Sequence, residues 1–154
     1  MSTEHELDAP PWLRVESTIM ATARAVRQAY DLRFAELGLN LSEASLLAYV
    51  EEAGALTQTR LAERRGLGRA AMGSVIDSLE KRGLVERNPD PDDRRVWLVD
   101  LTAAGKEMVE QVTERDVVLR KELRAGISRE DRSKLAEVLV ALGNNLAGIL
   151  ADDE

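Results

Sequence analysis

With 154 residues, 44% of them hydrophobic, 32% charged and 3% aromatic, the chain has the make-up of one helix-rich globular domain, or of a small domain with an added assembly element. It contains no cysteine, which excludes a disulfide framework, a thiolate zinc site and a thiol redox switch. A net charge of −7 argues against a nucleic-acid partner for the chain as a whole, yet Thr57 to Arg95 carries nine Lys/Arg against seven Asp/Glu while the remainder carries twelve against twenty-one.

The opening MSTEHELDAPP has no basic stretch followed by an apolar one, and no run approaches the roughly 18 apolar residues that read as membrane-spanning, so a cytoplasmic protein with no membrane partner is expected. Residues 1–10 read as a disordered tail. The one histidine, His5, lies there, which leaves no basis for histidine-dependent catalysis or a histidine metal site.

From Pro11 to Leu37, the apolar residues Ile19, Ala23, Val26, Tyr30, Phe34 and Leu37 recur every three or four positions, the stripe of one long helix stopped by Gly38. Ser42 is a candidate cap for a second helix ending at Gly54, with Leu46, Leu47 and Val50 inward. Leu56-Thr57 fits a brief strand. Thr57 or Thr59 then caps RLAERRG, and Gly68 opens RAAMGSVIDSLEKRG, closed by Gly83.

LVERN and VWLVDLT read as two strands joined by the PDPDD turn, a hairpin in which Trp97 alternates with Val99 and Leu101 and is expected to pack beneath the sheet. Thr102 caps a long helix from Ala103 to about Arg124, with Met108, Val112, Leu119 and Leu123 on one face. After Gly126, Ser128 and Asp131 have capping-box spacing ahead of a last helix striped by Leu135, Val138, Leu139, Leu142, Leu146 and Ile149. A first helix of ~27 residues spans about 40 Å, too long to hide its stripe against the short middle segment. The first and last helices (11–37 and 103–151) are therefore expected to cover one another's stripes in a homodimer around a winged domain over 38–102.

Two short helices across a glycine turn, followed by a hairpin, have the layout of a winged helix-turn-helix. The fold class expected is mainly α with a small β component (α+β), a winged helix-turn-helix flanked by long dimerisation helices. In the second helix of the pair, Leu67, Met72, Val75, Ile76 and Leu79 form the packed side, leaving Arg69, Ala70, Gly73, Ser74, Asp77 and Ser78 outward. Small residues allow close approach to base edges, Ala70 or Ala71 can meet a thymine methyl, and Arg69 can reach guanine or phosphate. Gln58 joins this set of expected DNA contacts. Arg94 and Arg95 sit at the hairpin tip, where one can enter a minor groove while Asp90, Asp92 and Asp93 pair with the other.

Asn88, Asp90 and Asp92 have calcium-loop spacing, but Asp93 stands where that loop needs glycine and Val99 where it needs glutamate, so no metal is expected. GLGRAAMG lacks the dinucleotide fingerprint, no cofactor is implied, and no nucleophile, base and orienter can be assembled into an enzyme site.

Through LTQTRLAERRGLGRAAMGSVIDSLEKRGLVERNPDPDDRRVWLVDLTAAG the chain resembles the MarR family of bacterial transcriptional regulators, with a helical layout that matches from about Pro11 to Leu150. The resemblance implies a dimer with interlocked termini on a pseudo-palindromic double-stranded operator, usually a repressor released by a small molecule. It further implies a ligand cleft where the long helices meet the winged domain. The candidates there are Arg24, Arg27, Tyr30, Leu46 and Tyr49, suited to an aromatic carboxylate or its coenzyme A thioester. Ser74 and Ser78 stand where such proteins often carry arginine, which shifts expected base reading toward Arg69 and the wing. The competing reading is a winged-helix protein-interaction module without specific DNA binding, suggested by the acidic net charge.

Overall fold

A computed structural model describes residue 10 and residues 14–151. Of the expected tail over 1–10 only residue 10 is described, and His5 and the proposed helix start at Pro11 lie outside the described residues. Among those described, the chain divides into two compact units, one up to Leu119 and one from Arg120 onward.

In the first unit the helices are α1 (Val15–Ala35), α2 (Leu41–Ala53), α3 (Gln58–Arg65), α4 (Arg69–Lys81) and most of α5 (Ala103–Leu123). Three antiparallel strands, β1 (Leu56–Thr57), β2 (Val85–Pro89) and β3 (Trp97–Leu101), form a sheet in the order β1-β3-β2. Its register pairs Leu56 with Val99 and Val85 with Leu101. The second unit holds the last turn of α5 and α6 (Arg129–Ala151).

The core gathers Leu46, Leu47 and Val50 of α2, Leu61 of α3, Met72, Ile76 and Leu79 of α4, and Val85, Val99 and Leu101 of the sheet. On α1 only Phe34 is buried, while Tyr30 packs partly against the core and Ala23 is exposed. The stripe read from the sequence therefore reaches the core only at its C-terminal end. In α6 no residue is buried, and Leu135, Val138, Leu139, Leu146 and Ile149 are exposed on the single chain. That helix is long and apolar enough to cross a membrane by length and composition, contrary to the expectation of no such run. The reason is that its charges end at Glu137, leaving residues 138–151 uncharged.

Two local expectations are corrected. The second helix starts one residue before Ser42, capped by Asn40: the Asn40 side chain accepts from the Glu43 N–H (2.9 Å), and the Glu43 carboxylate accepts from the Asn40 N–H (3.0 Å). This reciprocal box satisfies two helix-end donors where Ser42 would satisfy one. Trp97 is 56% exposed rather than packed under the wing. It has the same alternation as the buried Val99 and Leu101, but β1 ends opposite Leu98, so the sheet has narrowed to two strands at Trp97.

The LTAAG segment closes the winged domain. Thr102 Oγ1 donates to the Gly83 carbonyl (2.6 Å) and accepts from the Gly105 N–H (3.0 Å), capping α5, while the Thr102 N–H donates to the Leu84 carbonyl (3.2 Å). A Cβ on Gly105 would stand 2.0 Å from that Leu84 oxygen, so the helix can cross the start of β2 this closely only without a side chain. Gly105→Ala is expected to cost about 1–3 kcal/mol through forced backbone displacement, read as a lowered urea midpoint with little change in slope.

Candidate nucleic-acid interface and adjoining cleft

The helix pair is built from its ends inward. The Thr57 side chain caps α3 by accepting from the Arg60 N–H, and α3 ends at Gly66, whose φ of 61° is a left-handed conformation that suits glycine. The Leu67 N–H then donates to the Ala62 carbonyl (3.1 Å), which turns the chain into α4 at Gly68. Met72, Ile76 and Leu79 anchor α4 in the core, leaving Arg69, Ala70, Ala71, Ser74 and Asp77 exposed.

Ser78 does not join that outward face. It is half-buried and its hydroxyl donates to Glu43 Oε1 (2.6 Å), while Glu43 Oε2 serves the α2 cap. Glu43, 9% exposed, is the one polar or charged side chain among the described residues classed as buried. A buried carboxylate requires donors, and α4 supplies one from the position that helical spacing alone assigns to the surface.

Gly73 is half-buried because the Gln58 side chain lies across it. A Cβ there would meet Gln58 Nε2 at 3.0 Å. Gln58 makes long contacts of 3.4 Å to the Arg69 carbonyl and to Arg87. Arg87, 25% exposed on β2, forks onto Asp77 and Glu80 of α4 at 2.7 Å each, fixing the wing strand to the helix. At the other end of α4, Arg82 donates to the Gly38 carbonyl and to the Leu37 carbonyl (3.0 Å), joining it to the turn after α1. Neither arginine was singled out from the sequence. Asp77 and Glu80 at i, i+3 give a weak signal for a cation, whereas nothing in the sequence marks the partner of Arg82.

In the wing, the acidic residues shape the turn more than they pair with its arginines. Asp90 Oδ1 accepts from the Asp92 N–H (2.8 Å), and Asp93 Oδ1 accepts from the Arg95 N–H (3.1 Å) and Nε (3.3 Å). The Arg95 side chain nonetheless remains 92% exposed. Arg94 makes no hydrogen bond or ion pair among the described residues. The tip thus presents two guanidinium groups to solvent, one of them tethered.

A cleft of about 380 Å3 opens among α1, α2, the end of α3 and α5. Tyr30 and Tyr49 line it, with Phe34, Ala44 and Ala48 beside them and Glu52, Arg65 and Asp116 as its charged groups. The Tyr30 hydroxyl donates to Asp116 Oδ1 (2.9 Å). Of the ligand candidates, the structure brings Tyr30 and Tyr49 together there. Leu46 is in the core, and Arg24 and Arg27 are exposed on α1 outside the lining. Leu46 packs in the core from α2, and Arg24 and Arg27 lie N-terminal to Tyr30 on α1.

A family model described as the MarR family matches residues 37–96, which run from the end of α1 through both helices of the pair to the wing. An HTH-type transcriptional regulator of Bacillus subtilis, YdgJ, is 31% identical over 88% of this chain and 84% of its own length. The chain belongs to the MarR family. That places it among DNA-binding transcriptional regulators and not among enzymes. The crystal structure of the transcriptional regulator SlyA superposes with a TM-score of 0.79 at 23% identity, covering 91% of this chain and 99% of that one. A mutant MarR from E. coli complexed with operator DNA gives 0.78 at 22% identity, over 83% and 92%. At these identities the two structures bear on the winged-helix fold alone.

As a MarR family member, the chain departs from the expected reading surface at Ser78, and the departure can be measured. Ser78→Ala leaves a buried carboxylate oxygen short of a donor and is expected to destabilise by about 1–3 kcal/mol, whereas Ser74→Ala on the open face changes stability by no more than about 0.5 kcal/mol. Urea denaturation of both variants separates the roles; equal stability would mean that Ser78 does not hold Glu43.

Proposed function

We propose that the protein is a ligand-responsive repressor that binds a pseudo-palindromic operator as a homodimer in the cytoplasm. The observation that carries this is the pairing of a core-anchored α4, whose outward face is small, with a wing tip of two exposed arginines. Ala70, Ala71 and Ser74 let the helix backbone approach base edges, Arg69 reaches a base or phosphate at the helix start, and Gly73 and Gln58 complete the contact surface. Ser78 acts from behind, through Glu43. The tether from Asp93 to Arg95 favours Arg94 as the group that enters the minor groove, with Arg95 held against the backbone.

Homodimerisation is supported by the apolar residues that α6 and the N-terminal half of α1 leave uncovered on a single chain, more than a soluble monomer usually exposes. A two-fold axis would present two α4 helices to successive turns of one DNA face. The small molecule would occupy the cleft. Because α2 carries both a cleft wall (Tyr49, Glu52) and the Glu43 contact to α4, a ligand that shifts α2 alters the setting of α4. A differential affinity worth about 1 to 3 kcal/mol lowers operator affinity 5- to 150-fold.

The test is titration of genomic fragments at several salt concentrations with the wild type, Arg94→Ala and Arg95→Ala. The wild type is expected to select particular fragments in moderate salt, and each variant to flatten the log–log salt slope by about one ion. Selection of no fragment by the wild type would leave the protein-interaction module as the better reading. Unchanged slopes in both variants would remove the wing from the interface.

A further inference from the structure

We infer that the cleft takes an organic cation with an aromatic or compact apolar body, such as an aryl or quaternary ammonium compound, rather than an aromatic acid. This rests on the regulatory reading of the cleft given above and names the chemistry of its ligand.

The charges that line the cleft are two carboxylates, Glu52 and Asp116, and one guanidinium, Arg65. The arginines that a carboxylate ligand would need, Arg24 and Arg27, are outside the lining. An acid entering the cleft would therefore meet Arg65 at the exposed end of α3 and face two like charges on α2 and α5. A cation meets the reverse arrangement. Opposite charges attract and like charges repel, Glu52 and Arg65 acting from exposed positions and Asp116 from a half-buried one.

The aromatic walls select the same ligand. Tyr30 and Phe34 stand with ring centroids 5.6 Å apart at an interplanar angle of 38°, and Tyr49 lines the cleft from α2. Aromatic faces carry the negative part of a quadrupole and attract ammonium groups within about 6 Å of the ring. The Tyr30 hydroxyl donates to Asp116, so this carboxylate is positioned by a ring that also forms the wall. A cleft of about 380 Å3 suits a body of one or two rings and is too small to enclose a coenzyme A thioester.

The experiment uses the full chain and three probes of similar size: phenyltrimethylammonium, its uncharged isostere tert-butylbenzene, and benzoate. Calorimetric titration is expected to give phenyltrimethylammonium a roughly tenfold preference over the isostere, from ring and carboxylate attraction together, with benzoate weakest. Glu52→Gln, at an exposed position outside the core, is expected to reduce that preference several-fold, and Arg65→Gln to increase it. Equal binding of the cation and its isostere, absence of cation binding, or tighter binding of benzoate that Arg65→Gln abolishes would overturn the inference.

Operator titration in the presence of each probe separates this inference from the reading beneath it. If the cation binds with the stated preference and operator affinity does not change, the ligand class stands and the regulatory role of the cleft falls. If benzoate alone binds and lowers operator affinity, the regulatory role stands and the ligand class falls.

Discussion

The carboxylate of Glu43 is where the winged domain is tied together. One oxygen closes the N-terminal box of α2 on Asn40 and the other accepts the hydroxyl of Ser78 on α4, so a single buried charge sets where α2 begins and how α4 lies against it. The core residues that α2 and α4 contribute, Leu47 and Val50 from one and Ile76 and Leu79 from the other, are apolar and tolerate sliding more readily than a hydrogen bond does. The polar pair therefore supplies the orientation and the apolar pairs supply most of the stability. Arg82 at the far end of α4 and Arg87 on β2 add two further tethers, so the helix is held along its length while one face stays clear of large side chains.

That arrangement bears on how an acidic chain could present the proposed DNA-binding surface. Arg87 pairs with Asp77 and Glu80 and Arg95 with Asp93, while Arg69 at the start of α4 and Arg94 at the wing tip stand exposed. Long-range repulsion between the acidic remainder and the phosphates is screened over about 10 Å at 0.1 M salt, whereas groups at the surface of contact act at shorter range. The sign of the local segment consequently matters more than the sign of the total.

The order of elements was legible in the sequence because glycines at 54, 66, 83 and 126 stop the helices, and because β3 alternates cleanly at Val99 and Leu101. The expectations at Trp97 and Ser78 failed for one cause: periodicity gives the face of a residue but not the extent of what lies opposite. Trp97 has the inward phase and finds no third strand beside it. Ser78 has the outward phase and finds a buried carboxylate. Arg24 and Arg27, which the family resemblance implies as ligand contacts, lie on α1 ahead of Tyr30 and outside the lining of the cleft. Asn40 and Glu43 carry a readable signal, the N-x-x-E spacing of a capping box, which outweighs Ser42 as the start of α2.

In the proposed dimer, two copies of α4, each held from behind and open in front, would read two half-sites on one face of a duplex. Dimethyl sulfate and hydroxyl-radical footprinting on a selected operator measure this, the first at guanine N7 in the major groove and the second at the deoxyriboses along the minor groove. Two patches of guanine N7 protection centred about 10 to 10.5 base pairs apart are expected, with sugar protection in the adjoining minor grooves where the wings lie. A single unpaired patch, or protection without register between the two strands, would contradict it.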